Sequence, residues 1–253
     1  MELIPPLRVG RISYLNVEPF FHAFPWPLSA ALPPRALGDA VAEGRLDAGP
    51  LALADCIRLG GIVTRLPLGI ATRERAQSVL LFSTRPMAGL GGRRIAVTGE
   101  TATSVRLLRI LLAFRDEVAA PILVPLGEPA DARLLIGDAA LRARSDPLER
   151  GSYPHHFDLG EEWTRWTGFP CVFAAWAVRT DAPTAARGAL PAVLDEALEI
   201  GLRELPAIAH RRRDAGLPEA EVVAYLERFT YRLGAEEEKA IVEFRRLLTL
   251  LPA

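Results

Sequence analysis

The chain has 253 residues, half of them hydrophobic and 24% charged, a composition that excludes a disordered protein and supplies enough apolar surface for one sizeable core or two lobes. Its 30 basic and 31 acidic residues leave a net charge of -1, which removes the electrostatic drive towards nucleic acid or an anionic membrane and leaves a small molecule as the expected partner. Lys239 is the sole lysine, so Schiff-base or lysine-base chemistry has almost no candidate.

Residues 1–9 carry no basic stretch leading into a long apolar one, and Pro5-Pro6 interrupts them. No export signal is expected, and the expected location is cytoplasmic. No later run is long enough, free of charge and proline, to cross a bilayer. The first strand is predicted over residues 7–12 and ends in Ser13-Tyr14-Leu15-Asn16-Val17-Glu18-Pro19. Open α/β sheets bind ligands beyond the carboxyl ends of their strands, so Ser13, Tyr14 and Asn16 stand where a polar substrate is gripped. The competing reading is ordinary turn chemistry ahead of a proline. A helix is predicted over 35–44 and a strand over 78–83.

After a strand at 94–98, Gly99-Glu100-Thr101-Ala102-Thr103-Ser104 leads into an apolar helix at 103–114. Thr101, Thr103 and Ser104 either cap that helix or, with its free N–H groups and dipole, bind a carboxylate or phosphate. A buried strand at 133–136 turns at Gly137-Asp138. Gly137 lets a ligand or a neighbouring backbone approach closely, and Asp138 is first a helix cap, then an acceptor for a substrate hydroxyl or a catalytic base. Trp163 and Trp166 share a face of a helix at 161–166 and are expected to pack a core that Phe173 and Trp176, on the strand Cys171–Arg179, fit equally well. Helices at 191–205, 218–229 and 236–250 complete the chain, the last of them as docked core or as a homodimer surface.

Strand-like runs alternating with helical spacing make this an α/β chain with a helical C-terminal third. Turn signals at Pro86 and at Thr180-Asp181-Ala182-Pro183 predict two lobes, 1–83 plus 180–253 and an inserted 84–179, joined by two crossover strands that act as a hinge, with a ligand cleft between the lobes. Cys56 and Cys171 lie far apart in apolar runs and read as buried small hydrophobes. His22, His155, His156 and His210 form no ligand-like cluster, so no metal is expected. Neither a P-loop, a dinucleotide glycine fingerprint nor a G-x-S-x-G elbow is present.

Six segments taken together, Ile12-Ser13-Tyr14-Leu15-Asn16, Gly44-Arg45-Leu46-Asp47-Ala48, Ser78-Val79-Leu80-Leu81-Phe82-Ser83, Thr101-Ala102-Thr103-Ser104, Leu135-Ile136-Gly137-Asp138-Ala139 and 158–179, resemble the chorismate dehydratases of the futalosine route to menaquinone. The resemblance runs over nearly the whole chain and implies a two-lobed fold like that of type II periplasmic binding proteins. It further implies a lyase that converts chorismate to 3-[(1-carboxyvinyl)oxy]benzoate and water, with no cofactor. Asn16 matches the asparagine of the family motif and would hold the departing hydroxyl or the enolpyruvyl side chain. Ser78 and Ser83 join Ser13, Tyr14, Thr101, Thr103, Ser104, Gly137 and Asp138 as the implied substrate-binding set. One departure is Gly49-Pro50-Leu51-Ala52-Leu53, apolar where serines are expected after the proline, which puts the first-lobe carboxylate contacts in question. Two other functions fit the same fold: non-catalytic capture of an aromatic or carboxylate metabolite, and the sister enzyme 1,4-dihydroxy-6-naphthoate synthase.

Overall fold

Val9–Arg11 forms strand β1 in the computed structural model, which describes residues 7–251. The expectation of no export signal rests partly on residues 1–6, which lie outside the described residues. The chain continues as α1 (Glu18–Phe21), β2 (Leu28–Ala31), α2 (Pro34–Ala42), β3 (Ala48–Ala52), α3 (Leu53–Arg58), β4 (Val63–Thr72) and β5 (Val79–Ser83). Then come β6 (Arg94–Val97), α4 (Thr103–Ile110), β7 (Ile122–Pro125), β8 (Ala132–Ile136), α5 (Gly137–Ala143), α6 (Pro147–Ser152), β9 (His155–Asp158), α7 (Leu159–Thr167) and β10 (Cys171–Arg179). The remaining elements are α8 (Thr184–Arg203), α9 (Leu205–Arg211), α10 (Glu219–Leu226), β11 (Thr230–Arg232) and α11 (Ala235–Leu250).

These strands make a six-stranded sheet in the order β11-β4-β10-β3-β1-β2 and a five-stranded sheet in the order β7-β6-β8-β5-β9. In the first, β1 lies parallel to β2 and β3, and β10 runs antiparallel to β3 with Trp176 opposite Pro50. In the second, β6 is parallel to β7 and β8, while β5 is antiparallel to β8 and β9.

The described chain divides into two compact units, one running up to Ile70 and again over Phe173–Leu233, the other over Ala71–Val172 and from Gly234 onward. The sequence reading puts the passages at residues 83 and 180; in the structure both fall inside long strands, β4 and β10. The reason is pairing: β5 is engaged along its length by β8 and β9, and Ala174 to Val178 pair with β3. A third passage, after Leu233, carries α11 into the second unit, where Phe244 meets Trp163 edge-on at 5.9 Å. The sequence pattern alone places that helix in the first lobe.

The tryptophans likewise part company. Trp163 is buried in the second unit and donates Nε1–H to the Pro170 carbonyl at 3.1 Å. Trp176, fully buried, centres an aromatic cluster of the first unit with Phe20 at 5.7 Å, Phe21 at 5.5 Å and Phe24 at 6.2 Å. Helix α8 begins at Thr184, not at Pro191, because burial of Ala186 and Leu190 extends it through the proline.

Candidate functional site

Two polar stations stand out, one in each unit. In the first, β1 ends at Arg11 and the chain turns through a 3-10 segment, Leu15–Val17, into α1, whose second residue is Pro19. Ser13 is exposed on this turn, and Tyr14 and Asn16 are half-buried. Glu18 holds it in place. Its carboxylate, 2% exposed, accepts from Arg11 Nη2 at 2.5 Å, from Arg212 Nη1 at 2.5 Å and from Arg211 Nη2 at 3.5 Å. Arg212 Nη2 also reaches the Ser13 carbonyl at 3.5 Å, and the Arg11 guanidinium lies 5.2 Å from the Phe21 ring centre. Behind the turn, α8 approaches α1 so closely that a Cβ on Gly201 would run into the Pro19 backbone. Three cations around one carboxylate hold the turn in place, since without them the buried Glu18 charge would be left unpaired. Sequence reasoning missed this mount because Glu18 and Arg212 are 194 residues apart; the run Arg211-Arg212-Arg213 was its one visible signal.

In the second unit, register gathers the other station. Val97 pairs with Leu134 and Val79 with Ile136, so the ends of β6 and β8 and the start of β5 share one sheet edge. Thr101, Thr103, Ser104, Gly137, Asp138 and Ser78 follow or precede those strand ends, and the Gly137 N–H donates to the Ser78 carbonyl at 2.8 Å. Ser83 is not brought there. It pairs with Ala132 at the opposite end of β5 and spends its hydroxyl on the Arg85 carbonyl at 2.7 Å.

Neither helix on this edge is capped as the sequence suggests. The N-cap of α4 is Ala102, with no side-chain cap bond, and Thr101, Thr103 and Ser104 are all buried. Thr101 Oγ1 is enclosed with no hydrogen-bond partner among the described residues, a state that costs about 1–3 kcal/mol and that a ligand acceptor or donor would relieve. The N-cap of α5 is Ile136, so Asp138 is not the cap; it stands in the first turn, where its charge suits the positive helix end. Gly137 has φ +59°, a left-handed conformation that glycine adopts freely, so backbone shape accounts for this residue.

No helix among the described residues is long and apolar enough to cross a membrane. Among the same residues no group of three or more His, Cys, Asp or Glu could hold a metal ion. Both cysteines are free and buried.

Residues 7–249 match the family described as menaquinone biosynthesis. The chain is 29% identical, over 97% of its length and 96% of its relative's, to a chorismate dehydratase of Thermus thermophilus. Among solved structures, protein AF1704 from Archaeoglobus fulgidus has a TM-score of 0.77 at 16% identity, covering 97% of each chain. The periplasmic aliphatic sulphonate binding protein SsuA from Escherichia coli has a TM-score of 0.65 at 15% identity, covering 98% of this chain and 88% of its own. The fold is therefore that of the periplasmic binding proteins.

Proposed function

This chain belongs to the menaquinone biosynthesis family, and from that premise we propose that it is a chorismate dehydratase, forming 3-[(1-carboxyvinyl)oxy]benzoate and water. The observation that carries this reading is the end-to-end similarity to a protein named for that activity. The reaction removes the ring hydroxyl and a ring proton, and the benzenoid product provides the drive, so the protein has only to position, desolvate and polarise.

In this reading Asn16, on the turn fixed by Glu18, hydrogen-bonds the departing hydroxyl or the enolpyruvyl side chain. The uncapped start of α4, with Thr101, Thr103 and Ser104, takes a substrate carboxylate through hydroxyls and backbone N–H groups. Ser13, Tyr14, Ser78 and Gly137 complete the contacts. The proton acceptor is the substrate's own side-chain carboxylate, with Asp138 as the protein-borne competitor.

The test is incubation with chorismate followed by mass analysis for loss of one water. Chorismate that binds unchanged points to a capture protein. Turnover of cyclic dehypoxanthine futalosine in its place points to the sister enzyme.

A further inference from the structure

We infer that Arg212, the residue that ends α9, is a positioning residue for the dehydration: it fixes the turn from Ser13 to Asn16 so that the Asn16 amide meets the departing group. The inference rests on the dehydratase reading for its chemistry. Its geometry lies within the first unit, which holds both the turn and Phe173–Leu233.

The turn has little of its own to hold it. Its 3-10 segment, Leu15–Val17, has no side-chain cap bond, and the Val17 N–H reaches the Tyr14 carbonyl only at 3.4 Å, so its shape must be imposed by its surroundings. The three arginines on Glu18 are not equivalent in this. Arg211 is half exposed and touches the carboxylate only at 3.5 Å, whereas the Arg212 side chain is 12% exposed and meets it at 2.5 Å. Arg212 Nη2 also reaches the turn's own backbone, at the Ser13 carbonyl, 3.5 Å away.

The direction of that guanidinium is set separately. Asp214 accepts from Arg212 Nε at 2.9 Å and from Nη2 at 3.2 Å, a two-point grip on one edge of the fork. Asp214 is itself held in a 3-10 turn, Arg213–Ala215, that ends in the buried Ala215 and in Gly216 at φ +75°. Orientation therefore passes from Asp214 to Arg212, and from Arg212 to Ser13 and Glu18, the residues that bracket Asn16. A lysine ammonium is a point charge without a plane, so it could keep the ion pair but not this alignment. An amide that must meet a departing group in one geometry loses turnover when its support loosens, while a substrate gripped mainly elsewhere still binds.

The experiment measures chorismate kinetics for Arg212→Lys and Asp214→Ala, with hydrogen exchange of the backbone amides of residues 13–17 in each variant. In Arg212→Lys kcat should fall about tenfold or more while KM changes by less than about threefold. Exchange in the turn should quicken, and exchange in β3 of the same unit should not. Asp214 is exposed, so Asp214→Ala should keep the melting temperature near its starting value and still lower kcat; it carries the test should Arg212→Lys fail to fold. Full kcat in both variants, a loss confined to KM, or unaltered exchange in the turn overturns the inference. An unaltered protein that leaves chorismate intact removes the dehydratase reading and with it the kinetic half of the inference, whereas exchange still decides whether Arg212 fixes the turn.

Discussion

Arg11, the last residue of β1, and Glu18, the first of α1, meet at 2.5 Å across the turn that carries Ser13, Tyr14 and Asn16. With Arg211 and Arg212 converging on the same buried carboxylate, loss of Glu18 leaves three arginines without their shared counter-charge. Glu18→Ala should lower unfolding free energy by about 1–3 kcal/mol, and Glu18→Gln by less, in urea titrations. An unchanged midpoint for both would show that the mount contributes nothing.

Asn16 is half-buried and stands outside the arginine–carboxylate network. Asn16→Ala should therefore shift stability by less than about 1 kcal/mol. If its amide stabilises the departing group, turnover of chorismate should fall about 100-fold or more, with substrate affinity far less affected. A loss of affinity with kcat unchanged would assign it to ground-state binding instead.

Asp138 and Thr101 separate two roles at the second station. Asp138→Asn should keep appreciable turnover if the substrate carboxylate takes the proton; abolished turnover with chorismate still bound would make Asp138 the base. Thr101→Val removes an enclosed hydroxyl that has no partner among the described residues, so it should raise the melting temperature by a few degrees while raising KM for chorismate about tenfold. An unaltered KM would exclude Thr101 from substrate contact.

Asp47 links pH to stability. Burial alone would raise its carboxyl, but hydrogen bonds from the Arg8 side chain at 2.6 and 3.0 Å and from the Arg8 backbone N–H at 2.7 Å hold it below the ordinary aspartate value. A depressed folded-state value contributes stability above the unfolded value of about 3.9, and that contribution is lost as pH falls through the folded one. The stability gap between the unaltered protein and Asp47→Asn should be constant from neutrality to about pH 5 and close on further acidification. A gap independent of pH down to the acid limit would contradict the pairing.

Burial pushes the Cys56 thiol up to about 12 and the Cys171 thiol well above the usual thiol range, and the residues are 6% and 3% exposed. Since the thiolate is the reactive form, a thiol reagent at about pH 8 should label neither in the folded chain and both in urea. Rapid labelling of one in the native state would show that its segment opens.

What the chain determines by itself is what its local chemistry repeats over a few residues. The runs behind β5, β6, β8 and β10 and the spacing behind α2, α7 and α11 are legible because apolar periodicity acts within one turn or one pleat, whereas Asp158 capping Gly160 and Glu161 emerges only in the structure. The turn at Asn16 and the hydroxyls before α4 are legible for the same reason. β3, Ala-Gly-Pro-Leu-Ala, and β9, His-His-Phe-Asp, carry no such signal and become strands only because β1, β10 and β5 pair with them. The passage points within β4 and β10, the transfer of α11 to Trp163, the exile of Ser83 from the polar edge and the arginines that grip Glu18 were all decided by tertiary structure. Each depends on partners tens to nearly two hundred residues away, and pairing free energy at that separation leaves no trace in the neighbourhood of either residue.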